Sequence, residues 1–219
     1  MWITRLVLFA MMLPAPMVVQ AQELTRLYAP RPPAGSAYVR IVDLDPTDIR
    51  LNVAGAKAPV MVGEVASIYR VVKGGQPVDL SRNGSPLADT PIPSADTFST
   101  IVITRDGSPH LISDSTDGRN DLKVQLRVYN LVTDCAGAVT VVDGPTVFAD
   151  VGTNKTLSRA INPVEARLEG RCGDKISAPF QLPSLKAGDH FSLFLIEGAS
   201  GPELRGQRDE TEPYRGTQN

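Results

Sequence analysis

The sequence predicts an all-β protein made of two tandem small antiparallel β-sandwich domains, immunoglobulin-like, arising from an internal duplication. Three observations carry this expectation. Apolar residues alternate with a period of two in segment after segment. Related strings recur in the same order along the two halves. Turn-forming pairs punctuate the chain throughout. Gly and Pro number 18 each, which long helices would not tolerate, and no segment sustains a 3.6-residue period.

The first element is a leader. Residues 1–21 carry one positive charge, Arg5, ahead of an apolar run from Leu6 to Val19 that ends at Val19-Gln20-Ala21. That is the pattern of a secretory signal, so the sequence predicts cleavage after Ala21 and a periplasmic product. A membrane anchor is the competing reading. It is disfavoured because the run falls short of the roughly 20 apolar residues a span needs, and Pro14 and Pro16 interrupt it. Removing the leader leaves 21 basic and 24 acidic residues, a net charge near −3. Bulk charge therefore does not favour nucleic acid or an anionic polymer. The single tryptophan, Trp2, leaves with the signal.

The N-terminal sandwich is expected over 22–116. In IRLNV (49–53) Ile49, Leu51 and Val53 face one way and Arg50 and Asn52 the other. Asn83-Gly84 suits a tight hairpin with positive φ. STIVI, ending at Ile103, is apolar on both faces, as a central strand is. A polar linker is expected at 117–122, around DSTDGRND (114–121). The C-terminal sandwich follows over 123–204. KVQLRV (123–128) again alternates, with Lys123, Gln125 and Arg127 on a wet face, and FSLFLI (191–196) is the second central strand. The polar tail, 205–219, has almost nothing to bury and is expected to be disordered.

Four string pairs support the duplication. VRIVDL (39–44) aligns with LRVYNL (126–131) at an offset of 87, and PVDLSRNG (77–84) with PVEARLEG (163–170) at 86. DTFSTIVI (96–103) aligns with DHFSLFLI (189–196), and SPHL (108–111) with GPEL (201–204), both at 93.

Cys135 and Cys172 are the only cysteines. In an oxidising compartment they read as a disulfide within the second module, with two free thiols as the alternative. With His110 and His190 they match no zinc spacing, and neither a metal nor a cofactor is expected. No Gly-x-Ser-x-Gly elbow accompanies either histidine. His110, in GSPHL, reads as a loop or turn residue, and His190 as a strand-end residue. Asp209, Glu210 and Glu212 cluster in the tail, where a floppy segment cannot fix the separation of two carboxylates for glycoside hydrolysis. Sugar platforms favour exposed flat aromatics. Here Phe98, Phe191 and Phe194 belong to core strands, and Tyr28, Tyr38, Tyr69, Tyr129 and Tyr214 are scattered. No catalytic set is visible, and two rigid modules suit protein–protein docking.

LYAPRPPAGSAYVRI (27–41) carries Leu27, Tyr28, Pro30, Gly35, Ser36, Val39 and Arg40, and INPVEARL (161–168) carries Ile161, Asn162, Pro163 and Val164. In these blocks the chain resembles the AlgF family of alginate biosynthesis, over residues 27 to about 200. The resemblance implies a non-catalytic periplasmic adaptor required for O-acetylation of an exported polysaccharide, alginate or a similar polymer such as cellulose. The implied partners are a membrane-bound O-acyltransferase and periplasmic acetyl-transfer proteins, with no nucleic acid and no tight direct polysaccharide binding. Two alternatives remain: an enzyme performing the acetyl transfer itself, and a carbohydrate-binding module.

Overall fold

The computed structural model describes residues 32–45, 49–52, 60, 64–115 and 120–214. Residues 1–31, among them Leu27, Tyr28 and Pro30, lie outside these, as do Val53, half of the expected linker 117–122 and the last five residues. The chain divides into two compact units, Pro32–Glu212 and the terminal segments Met1–Arg31 with Pro213–Asn219. Every strand described below lies in Pro32–Glu212.

Sixteen strands and no helix occur among the described residues. In the first half they are β1 (Ser36–Asp43), β2 (Ile49–Asn52), β3 (Arg70–Lys73), β4 (Asp79–Arg82), β5 (Ser85–Pro86), β6 (Phe98–Ile103) and β7 (Pro109–Asp114). In the second half they are β8 (Val124–Asn130), β9 (Gly137–Val141), β10 (Thr146–Val151), β11 (Lys155–Ile161), β12 (Arg167–Cys172), β13 (Lys175–Ile176), β14 (Phe180–Gln181), β15 (His190–Glu197) and β16 (Pro202–Arg208).

Each half contributes one main sheet, ordered β3-β1-β6-β7 and β11-β8-β15-β16, and one covering sheet, β2-β4-β5 and β10-β9-β12-β13 with β14 beside β12. The sandwiches are not purely antiparallel. β1 and β6 run parallel, as do β8 and β15. A parallel pair needs a long crossover, and the intervening strands of the covering sheet supply it. Adjacent apolar strings do not disclose their relative direction, so the sequence left this unseen.

The two main sheets share one register. Tyr38–Asp43 lie beside Phe98–Ile103, and Gln125–Asn130 beside His190–Leu195. The offsets are 87 and 92 residues. The first matches the string alignment and the second corrects it by one. The correction matters because a one-residue slip turns every side chain to the opposite face. At an offset of 93, Ile101 in its own sandwich core would correspond to Phe194, which faces the other half. At 92 it corresponds to Leu193, which also faces its own core. The covering sheets correct the offset of 86 as well: Arg82 pairs with Ser85 as Cys172 pairs with Lys175, an offset of 90.

Local chemistry explains the turns. Asn83 and Gly84 both take positive φ, 51° and 79°, in the β4–β5 hairpin. Gly35 takes φ 80° in the turn that launches β1, where the Ser36 N–H and hydroxyl both donate to the Pro33 carbonyl.

Three apolar clusters form among the described residues. One lies inside the second sandwich around Leu126, Val128, Leu168, Leu193 and Leu195. Another fills the first around Val39, Ile41, Leu51, Leu80 and Ile101. The third joins the halves: Val42, Val102 and Ile112 from the first meet Tyr129, Leu131 and Phe194 from the second. The main sheets thus pack on each other through their outer faces. This is why Gln125 and Arg127, expected on a wet face, are buried.

The tail expected to be disordered from residue 205 is instead held in place through Glu212. β16 continues to Arg208, and the Asp209 N–H donates to the His190 carbonyl at 2.9 Å. Tyr69 exchanges backbone bonds with Glu210 and Glu212 at 2.8 and 2.7 Å. Charged composition argued for disorder, but backbone pairing and the nearly buried Asp209 carboxylate outweigh it.

Candidate functional site

Two features stand out, a buried charged cluster between the halves and an open cleft at one end of the same seam. The cluster centres on Arg40 of β1, which is fully buried. Its Nε donates to Thr100 Oγ1 at 3.0 Å, Nη1 to Asp209 Oδ1 at 2.7 Å and Nη2 to Ser192 Oγ at 2.8 Å. The rings of Tyr69, Tyr129 and Phe194 surround the guanidinium at 4.6, 5.0 and 5.2 Å. Asp114 completes the cluster, accepting from the Tyr129 and Tyr69 hydroxyls at 2.7 and 2.8 Å and from Thr100 at 3.1 Å.

The halves contribute matching groups. Arg40 and Arg127 occupy corresponding positions of the main sheets, as do Thr100 and Ser192. Asp114 lies opposite Phe98, and Asp209 follows the strand paired to β15 and bonds the His190 backbone. Arg40 crosses the seam to the opposite half's serine and aspartate, while Arg127 donates to the Ser115 carbonyl at 2.6 Å.

Electrostatics follow from burial. Desolvation opposes the Arg40 charge, but neighbouring groups, Asp209 foremost, outweigh it and hold the guanidinium's pKa well above its ordinary value. Burial raises the hydroxyl pKa of Tyr69 and Tyr129, and the Arg40 charge only partly offsets it.

The cleft has a volume of about 350 Å³. Leu44, Leu131 and Ile196 contribute aliphatic surface, and Arg105, His110, Asn154 and Glu197 contribute polar groups. Arg105 and Glu197 form an ion pair at 3.1 Å. The Thr104 and Ser108 hydroxyls donate to Asp106, and the Thr104 bond foremost lowers its carboxyl pKa. His110 lies on β7 rather than in the expected turn, and no hydrogen bond joins it to a hydroxyl among the described residues. His190 opens β15.

Cys135 and Cys172 form the disulfide, with Cα atoms 5.7 Å apart. Of the motif residues, Gly35 and Ser36 build the turn before β1, Val39 packs in the first core and Arg40 anchors the seam. Ile161 ends β11, and Asn162, Pro163 and exposed Val164 follow it. Sequence reasoning missed the cluster, although one signal was present: Arg40 and Arg127 align at the same offset of 87, each with apolar residues on both sides.

Residues 10–191 match the model of the family described as "Alginate O-acetyl transferase AlgF". The chain belongs to the AlgF family. Its similarity to the alginate biosynthesis protein AlgF of Pseudomonas fluorescens is 28% identity over 176 residues, 80% of this chain and 78% of that one. For the Pseudomonas aeruginosa AlgF it is 26% over 177 residues, covering 80% and 79%. Among solved structures, the C-terminal domain of P. aeruginosa AlgF matches at 26% identity and a TM-score of 0.35, covering 40% of this chain and 98% of that one.

Proposed function

We propose that this AlgF-family protein is a non-catalytic periplasmic adaptor in polysaccharide O-acetylation, exported by a signal cleaved after Ala21. It docks a membrane-bound O-acyltransferase to periplasmic acetyl-transfer proteins, and holding them together raises the effective concentration of donor at acceptor. The polymer is alginate or a similar one. Family membership supports the pathway. The observation that carries the adaptor role is the buried cluster: Arg40 and Asp114 spend their hydrogen bonds inside the seam, joining two sandwiches rather than facing a substrate. The shared strand order and matched registers also support descent of both halves from one duplicated unit.

The family's own description favours a second reading, that the chain performs acetyl transfer itself. Acyl transfer needs a nucleophile and base within hydrogen-bond reach, and His110 has no such partner among the described residues. The test is to purify the mature protein with its acyltransferase and assay it alone on an acetyl ester. Co-purification without turnover is expected. Turnover abolished by His110→Ala overturns the adaptor reading.

A further inference from the structure

The cleft opens at the end of the seam, where the Arg105–Glu197 ion pair bridges the halves at the surface. Leu44 and Leu131 follow the corresponding strands β1 and β8, and Arg105 and Glu197 occupy corresponding positions at the ends of β6 and β15. The cleft therefore straddles the junction, a preferred location for ligands, and its volume of about 350 Å³ suits a small one.

Its fixed charges are already matched. Arg105 reaches the Glu197 carboxylate and, through Nη2, the Glu197 carbonyl at 3.1 Å. Asp106 accepts from Thr104 and Ser108. What remains is the aliphatic surface of half-buried Leu44 and Ile196, with Leu131 almost wholly buried among them, in a lining that also holds the ring N–H of His110 and the side-chain amide of Asn154. A bare carboxylate gains little here, whereas a small group with an apolar end and a carbonyl gains from both surfaces.

We infer that this cleft binds the O-acetyl ester of a sugar. The methyl group packs on the aliphatic side chains, and the ester carbonyl accepts from His110 or Asn154. This rests on the proposed role in O-acetylation and assigns that role a ligand.

The test titrates the full mature protein with acetylated alginate oligosaccharide, and with the same batch after base de-esterification, while recording amide NMR spectra. Shifts confined to Leu44, Thr104–His110, Leu131–Thr133, Thr153–Asn154 and Ile196–Glu197 are expected. De-esterification should weaken binding by about tenfold, the change for roughly two buried carbons. Ile196→Asp should abolish the response, and the exposed His110→Ala should weaken it should the first variant fail to fold. Equal affinity after de-esterification, shifts elsewhere, or no response at millimolar oligosaccharide overturns the inference. Capture of the acyltransferase, measured on the same samples, separates the two readings. Capture without glycan binding sinks only this one, and failure of the wild type to capture the acyltransferase sinks the adaptor.

Discussion

Asp209→Ala tests whether the seam depends on its buried ion pair. The Arg40 and Asp209 side chains are 1% and 9% exposed, and their atoms meet at 2.7 Å. Removing the carboxylate leaves a cation in a site walled by three rings. Breaking a buried pair from one side costs about 3–5 kcal/mol. Arg40 keeps its bonds to Thr100 and Ser192, so the loss should fall near the lower end. With a urea m-value of about 1–3 kcal/mol/M, the midpoint should drop by roughly 1–3 M. The assay is urea unfolding followed by circular dichroism. The double variant Arg40→Met with Asp209→Leu should recover most of the loss, because replacing both charges by apolar groups is often neutral. A midpoint unchanged in Asp209→Ala, or equally low in the double variant, refutes the reasoning.

Removing the disulfide with Cys135→Ser and Cys172→Ser should cost about 4 kcal/mol for a separation of 37 residues, read as a lower unfolding midpoint. Tyr69 and Tyr129 keep their protons in the folded state beyond the ordinary tyrosine range. Their contribution is therefore complete below the unfolded pKa, near 10, and is lost as pH rises through the raised folded values. Ultraviolet titration should show these two ionising only with unfolding. Limited proteolysis should leave a smallest stable fragment containing both halves, since separating them exposes the shared cluster. Two independently stable pieces would contradict that expectation.

Much of the fold was legible. β2 shows the alternation read at Ile49 and Leu51, the Asn83-Gly84 hairpin forms, and β6 and β15 are central strands. The seam was not legible, for a physical reason. Alternation at Gln125 and Arg127 reports two faces but not what covers the second, and a second sheet can replace water when it supplies matching polar groups. The same ambiguity hid the ordered segment after Arg208, where composition argued for solvent and Asp209 found a buried cation. In the cleft, His110 was legible as a residue but not its neighbours, which come from both halves.

The separation of 169 residues between Arg40 and its carboxylate has a kinetic consequence. A ribosome delivers the arginine long before the aspartate, so nascent chains carry an uncompensated cation until Asp209 has been made. Such nonlocal closure folds slowly. Chains terminated before Asp209 would lack this clasp and stay open to degradation.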